Sequence, residues 1–145
     1  MPGSGKPYYK GMSAKKPIFV TFIGPLGIFR SSLRSYLSTL PGVCINRFSP
    51  EQDVDINEIG QQPSDIFLMD VDAFRPPAIL TTALMQSIDR LHRTHPEALV
   101  VLLVNNLDQK QVVSACGAEL VLLKGSMEES FNTFLATILN RPKEV

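Results

Sequence analysis

Five apolar runs recur along the chain, most of them followed by a stretch whose apolar residues fall at helical spacing. Ile18–Ile23 (IFVTFI) is continuous, β-branched and aromatic, as expected of a strand covered on both faces. Gly24 and Pro25 stop it, and Phe29, Leu33, Leu37 and Leu40, with Tyr36, then recur at helical spacing until Pro41-Gly42. Val43–Phe48 reads as a short second strand. Ser49-Pro50-Glu51 supplies an N-cap, a proline at the first helical position and an acid in the first turn. It opens a weakly patterned second helix through Val54, Ile56 and Ile59 that closes near Gly60. Asp65–Val71 (DIFLMDV) predicts the third strand, and Leu80, Leu84, Ile88 and Leu91 place a helix over 80–92, ahead of Pro96. Ala98–Val104 is the fourth strand, 108–116 a short helix ended by Gly117, and Leu120–Leu123 the fifth strand. The last helix spans Ser126–Leu139. Ser126 is its N-cap, Glu128 and Glu129 lie in its first turn, and Phe131, Phe134, Leu135 and Ile138 share one face.

Strands alternating with helices specify an α/β fold with a doubly wound, five-stranded parallel sheet, because parallel crossovers need helices on both faces. In such sheets the functional crevice lies beyond the carboxyl ends of the strands. For this chain those ends are Gly24-Pro25, Asp70, Val104-Asn105 and Lys124.

Composition narrows the function classes. The 145 residues fit one domain, and 44% hydrophobic with 19% charged residues is the balance of a globular protein. With 14 basic and 14 acidic side chains there is no basic excess to draw nucleic acid or membrane by charge alone. Cys44 and Cys116 lack metal spacing and read as two buried free thiols, suited to a reducing compartment. No apolar run approaches the roughly 20 residues of a membrane span, and no signal-peptide core opens the chain, so a cytoplasmic location is expected. Residues 1–16 are rich in Gly, Pro, Ser and Lys and read as a disordered tail or leader, with Met12 as an alternative start. Their Gly3-Ser4-Gly5-Lys6 lacks the spacing and preceding strand of a phosphate loop. His92 and His95 sit near a helix C-terminus with no third ligand at hand, which favours a dipole contact over a metal. Asp53 and Asp55 read as a solvated helix face.

Three stretches carry a family resemblance. IFRSSLRSYLSTLPGV (28–43), DIFLMD (65–70) and CGAELVLLKGSMEES (116–130) resemble, in order and spacing, the receiver domains of two-component response regulators. The nearest branch is the one that precedes LuxR-type helix-turn-helix output domains, and the resemblance runs from about Pro17 to Leu139. It implies a flavodoxin-like (βα)5 fold with strand order 2-1-3-4-5, over 17–140, with 141–145 beginning a linker or tail. It makes Asp70 the phosphoacceptor equivalent and Lys124 the phosphate-site lysine equivalent. It also exposes four departures: Gly24 and Pro25 stand in place of the Mg²⁺-binding acidic pair, Val104 in place of a hydroxyl, and Val121 in place of an aromatic.

The first departure does not depend on alignment, since no Asp or Glu precedes Glu51. Mg²⁺ needs oxygen ligands and enters proteins through carboxylates, so its binding is expected to be lost or very weak, with no other cofactor. Acids introduced at Gly24 and Pro25 should then raise metal affinity. Asp70 and Lys124 are read as an ion pair in which the lysine favours the charged acid; whether it is only structural or still functional stays open. Relative to the family, 72–83, with Arg75-Pro76-Pro77, is about six residues longer, a loop that could shield Asp70, meet a partner or be neutral. The expectation is an atypical or pseudo-receiver, regulatory and not enzymatic. It would dimerise through the fourth helix, fifth strand and fifth helix, and meet DNA only through an output domain absent from this chain. A stand-alone receiver, a residual phospho-accepting receiver using Asp70, and a small flavodoxin-like ligand-binding protein or enzyme are the alternatives.

Overall fold

Each of the five apolar runs becomes a strand, and the strands join side by side in one parallel sheet of order β2-β1-β3-β4-β5. The computed structural model describes residues 17–49, 64–74 and 80–139. The strands are β1 Ile18–Ile23, β2 Val43–Ser49, β3 Ile66–Asp70, β4 Leu99–Val104 and β5 Leu120–Leu123. Among the described residues the helices are α1 Ile28–Ser38, α2 Leu80–Thr94, α3 Leu107–Val113 and α4 Met127–Leu139. The tail at 1–16, the second predicted helix, Asp53, Asp55, Arg75-Pro76-Pro77 and the segment 141–145 lie outside the described residues.

Side-chain alternation along the strands sorts the core into two halves. Phe67, Met69, Val100, Leu102 and Val104 pack with Leu84, Ile88, Leu91 and Val113 beneath α2 and α3. Leu68, Val101, Leu103, Val20 and Phe22 face the other way, onto Leu33, Leu37, Phe131 and Leu135 of α1 and α4. A strand buried on both faces cannot alternate polar and apolar, which is why these runs are continuous. Fully burying side chains such as Phe67, Leu84 or Phe131 contributes about 1.5–3 kcal/mol each. Tyr36 ties α1 to α4: its hydroxyl donates to Asn132 Oδ1 at 2.6 Å, and its ring meets Phe131 edge-on.

Several local expectations shift. The third strand is shorter, because it ends at Asp70, whose side chain caps a single 3₁₀ turn, Val71–Ala73. The helix read over 108–116 begins at Leu107 and ends at Val113, since Asn106 caps it by accepting from Gln109 N at 2.8 Å. A 3₁₀ turn, Lys124–Ser126, precedes the last helix, which begins at Met127. Cys116 is buried as read, but Cys44 is exposed on β2, which among the described residues forms one edge of the sheet beside β1.

Register brings the site together. Asp70 pairs with Leu103 and Val104 with Leu123, so Asp70, Asn105 and Lys124 emerge at the same edge of the sheet.

Candidate functional site

Asp70 ends β3 with an extended backbone, and its carboxylate turns into the crevice, where Oδ1 accepts from Asp72 N at 2.8 Å. Lys124, the first residue past β5, extends its ammonium to 2.7 Å from the same oxygen. That ammonium also lies 2.9 Å from Oδ2 of Asp72 and 4.9 Å from the centre of the Phe29 ring. One cation therefore bridges two carboxylates against an aromatic face, an arrangement that favours positive charge.

The three charged groups differ in their access to water. The Asp70 side chain is 3% exposed and that of Lys124 14%, whereas Asp72 is 36% exposed. Burial pushes the Asp70 carboxyl above its usual range. The Lys124 hydrogen bond, the Asp72 amide and the lysine charge pull it back, and the Asp72 charge pushes it up again. The predicted ion pair is present, and the lysine does favour the charged acid. Desolvation nevertheless outweighs it.

Gly24 and Pro25 follow β1 at this same edge. Gly24 is buried, and a Cβ built there would lie 2.3 Å and 2.7 Å from atoms of the Phe22 ring and 2.9 Å from Asp70 Cβ. Phe22 is fully buried in the α1/α4 half of the core. The space for a side chain at the end of β1 is thus filled by an aromatic ring. Pro25 is half-buried.

Polar contacts continue away from the carboxylates. Asn105 Nδ2 donates to both oxygens of Asp72 at 3.1 Å and to Gln109 Oε1 at 3.1 Å. The backbone N–H of Asn105 reaches the same Gln109 oxygen at 2.7 Å. Beside this chain of bonds an open groove of about 550 Å³ is lined by Asn105, Asn106, Leu107, Leu123, Gly125 and Ser126, among others. Val104 is buried and presents no hydroxyl, and Val121 packs half-buried against the same half of the core as Val104.

The histidines lie elsewhere. His92 meets Glu119 at 3.0 Å, and the His95 ring packs on Phe67 with centroids 5.3 Å apart. Glu119 also accepts from Val100 N at 2.7 Å, so this pair fastens α2 to the start of β4. Among the described residues no group of three His, Cys, Asp or Glu side chains is placed to hold a metal ion.

Sequence reading located Asp70, Lys124, Gly24 and Pro25 at one edge but missed the parts played by Gln109, Phe22 and Phe29. A signal for Gln109 was present: Asn106-Leu107-Asp108-Gln109 has the spacing of a capping box, which places a Gln side chain over the start of a helix. Here that Gln reaches one residue further back, to Asn105.

No protein-family model and no curated protein sequence matches the chain. Solved structures do match by shape. A structure of the RcsB response regulator of Salmonella typhimurium superposes with TM-score 0.68 at 16% identity, over 90% of this chain and 63% of that one. The isolated REC domain of RcsB from Salmonella enterica serovar Typhimurium, in the presence of phosphomimetic BeF3−, gives TM-score 0.68 at 16% identity, covering 89% of this chain and 93% of that. A LuxR-family two-component response regulator from Aurantimonas sp. SI85-9A1 gives TM-score 0.67 at 13% identity, with 86% of each chain covered. The chain therefore spans less than two thirds of the RcsB structure first named. The fold is that of response-regulator receivers, and the strand order implied by the resemblance is the one observed.

Proposed function

We propose that this chain, whose fold is that of response-regulator receivers, is an atypical receiver: a regulatory domain that acts through protein contacts without Mg²⁺-dependent aspartyl phosphorylation. The observation that carries this reading is the packing of Gly24 against Phe22 and Asp70. Mg²⁺ demands near-octahedral oxygen coordination. At this edge it would meet an aromatic ring on the β1 side and an ammonium already between the Asp70 and Asp72 carboxylates. The residues present do not fit the ion. Lys124 supplies one positive charge, whereas phosphoryl transfer to a carboxylate leans on a divalent cation to neutralise the charge that builds on the phosphoryl oxygens. Asp70 is moreover nearly closed to solvent.

Regulation then rests on surfaces. The face formed by α3, β5 and α4 presents Gln111, Val112 and Ser114 to solvent, with Val112 57% exposed. We read it as a self-association surface, with DNA reached only through an output domain outside this chain. Asn132 of α4, although exposed, accepts a hydrogen bond from the Tyr36 hydroxyl. The described residues contain no helix long and apolar enough to cross a membrane.

One second reading has an observation behind it. Asp70 and Lys124 are both kept and in contact, as a residual phospho-accepting receiver would need. Incubation with acetyl phosphate and Mg²⁺, followed by intact-mass measurement, separates the two. The proposal expects an unchanged mass; a single added phosphoryl group that disappears in Asp70→Asn establishes the second reading.

A further inference from the structure

We propose that the tip Leu26-Gly27-Ile28, between β1 and α1, inserts into the surface of an anionic lipid membrane and holds the chain there as a peripheral protein. The inference does not depend on how the Asp70 cluster works.

Apolar exposure is concentrated at this tip. Leu26 is 76% and Ile28 86% exposed, the two highest values among the exposed large hydrophobic side chains of the described residues. Gly27 joins them with φ 151° and ψ −175°, a backbone that a residue with a Cβ rarely adopts. A Cβ built on Gly27 would meet nothing within 4 Å, so the tip stands clear of the fold. Two aliphatic side chains held out on a narrow projection leave apolar surface in water that a bilayer would take up. A protein partner gains little from so small a projection, because stable protein interfaces cover roughly 800 Å² on each side. An interfacial anchor needs only to sink its apolar side chains to the level of the acyl boundary.

The charge around the tip selects the lipid. The chain has no net charge as a whole, yet its first 50 residues hold four lysines and three arginines and no Asp or Glu. The charged side chains of α1 are Arg30 and Arg34, one turn apart, and its first turn carries no acid and no side-chain cap. Ser31, Ser32 and Ser35 are exposed beside them, short hydroxyls that let a surface approach and can donate to phosphate oxygens. The first turn of α4, which carries Glu128 and Glu129, meets α1 at Tyr36, about two turns past the tip. Basic side chains behind an apolar tip suit a negatively charged leaflet. The tip follows β1 at the edge where Asp70 and Lys124 meet, so a membrane engaged there would lie across that edge.

Co-sedimentation of the full chain with vesicles of phosphatidylcholine, with and without about a quarter phosphatidylglycerol, tests the proposal. The wild type should pellet with the anionic vesicles and bind the neutral ones about tenfold more weakly. Leu26→Gln combined with Ile28→Gln should weaken binding to the anionic vesicles by about tenfold or more, since both anchors are lost. Met85→Gln alters an exposed apolar side chain on α2, across the sheet from α1, and should leave binding unchanged. All three side chains are solvent-exposed, so the fold is kept in each variant. The chain contains no Trp, so Ile28→Trp supplies a single reporter. Its emission should shift to the blue on anionic vesicles, and that of Met85→Trp should not. A wild type that ignores both kinds of vesicle overturns the proposal, as does vesicle binding that survives loss of both aliphatic side chains. If the wild type ignores vesicles and the double substitution instead lowers its sedimentation coefficient, the tip belongs to a contact between copies of the chain and the lipid reading falls.

Discussion

A Cβ at Gly24 would stand 2.3 Å from the tip of the Phe22 ring, a contact that real side chains do not make. Phe22 is fully buried and cannot swing into solvent, so any residue larger than glycine displaces part of the core. Gly24→Asp should therefore destabilise the fold by about 1–3 kcal/mol, as overpacked positions do. It should also leave Mg²⁺ affinity unchanged, against the simpler expectation that restoring an acid restores the metal. Urea denaturation and Mg²⁺ titration followed by amide shifts check both. A variant with wild-type stability and a saturable Mg²⁺ response around Asp70 would show that the ring yields.

Asp70→Asn is expected to stabilise the protein at pH 7 by about 1 kcal/mol. Lys124 keeps Asp72 as its partner, so no bare ammonium is left behind. The variant removes a charge that burial disfavours. The pH dependence follows from the raised carboxyl. A carboxyl whose folded pKa lies above its unfolded value contributes stability below the unfolded value, near pH 4, and loses it as pH rises through the folded value. The advantage of Asp70→Asn over the wild type should accordingly shrink as pH falls from 7 towards 4. Paired urea melts across that range decide it, and an advantage that grows in acid contradicts the assignment.

Lys124→Met leaves the Asp70 and Asp72 carboxylates with no ammonium between them. A loss of about 3 kcal/mol at pH 7 is expected, the scale of breaking a buried pair from one side. Mild acid should recover part of it by protonating Asp70. Thermal melts at pH 7 and pH 5 measure the recovery, and equal losses at both would mean that the lysine acts only by packing on Phe29.

How much of this was legible in the sequence follows from which interactions are local. The five strands were readable because a doubly covered strand must be apolar throughout, and α1 because Phe29, Leu33 and Leu37 repeat on one face. The convergence of Asp70 and Lys124 came from their places at strand ends. Phe22 was readable only as a core residue; that its ring closes the space over Gly24 depends on a contact between residues two apart whose geometry no periodicity encodes. Cys44 looked buried because it lies in an apolar run, but it sits on an edge strand, and strand order is not a local property. At Asp70 the lysine partner was legible as a charge, whereas the depth of burial that outweighs it was not.

Tyr36→Phe should loosen the last helix. The hydroxyl donates to Asn132 Oδ1 at 2.6 Å and also lies 3.0 Å from the Glu128 carbonyl, both on α4. Its removal should lower stability by about 1 kcal/mol and raise hydrogen exchange in 128–132, while the ring keeps its edge contact with Phe131. Wild-type exchange in that segment would mean that ring packing alone docks the helix.

Self-association is the prediction on which the functional reading leans hardest. A receiver that switches holds two conformations, and a modification can only bias states it distinguishes. Here the cluster at Asp70 already has an internal cation in place, so the unmodified chain should occupy one conformation and associate without any donor. Val112 is the side chain best placed to report it, being apolar, 57% exposed and on α3. Val112→Glu adds a charge to that face and is a good helix former, so the fold should be unaffected. The dimer should weaken more than tenfold, a loss above about 1.4 kcal/mol, because the charge would be desolvated at an interface without a partner. Sedimentation over a wide concentration range, with and without acetyl phosphate, measures both effects. A wild type that stays monomeric until acetyl phosphate is added would instead mark a working phospho-switch, and a dimer indifferent to Val112→Glu would place the contact on another face.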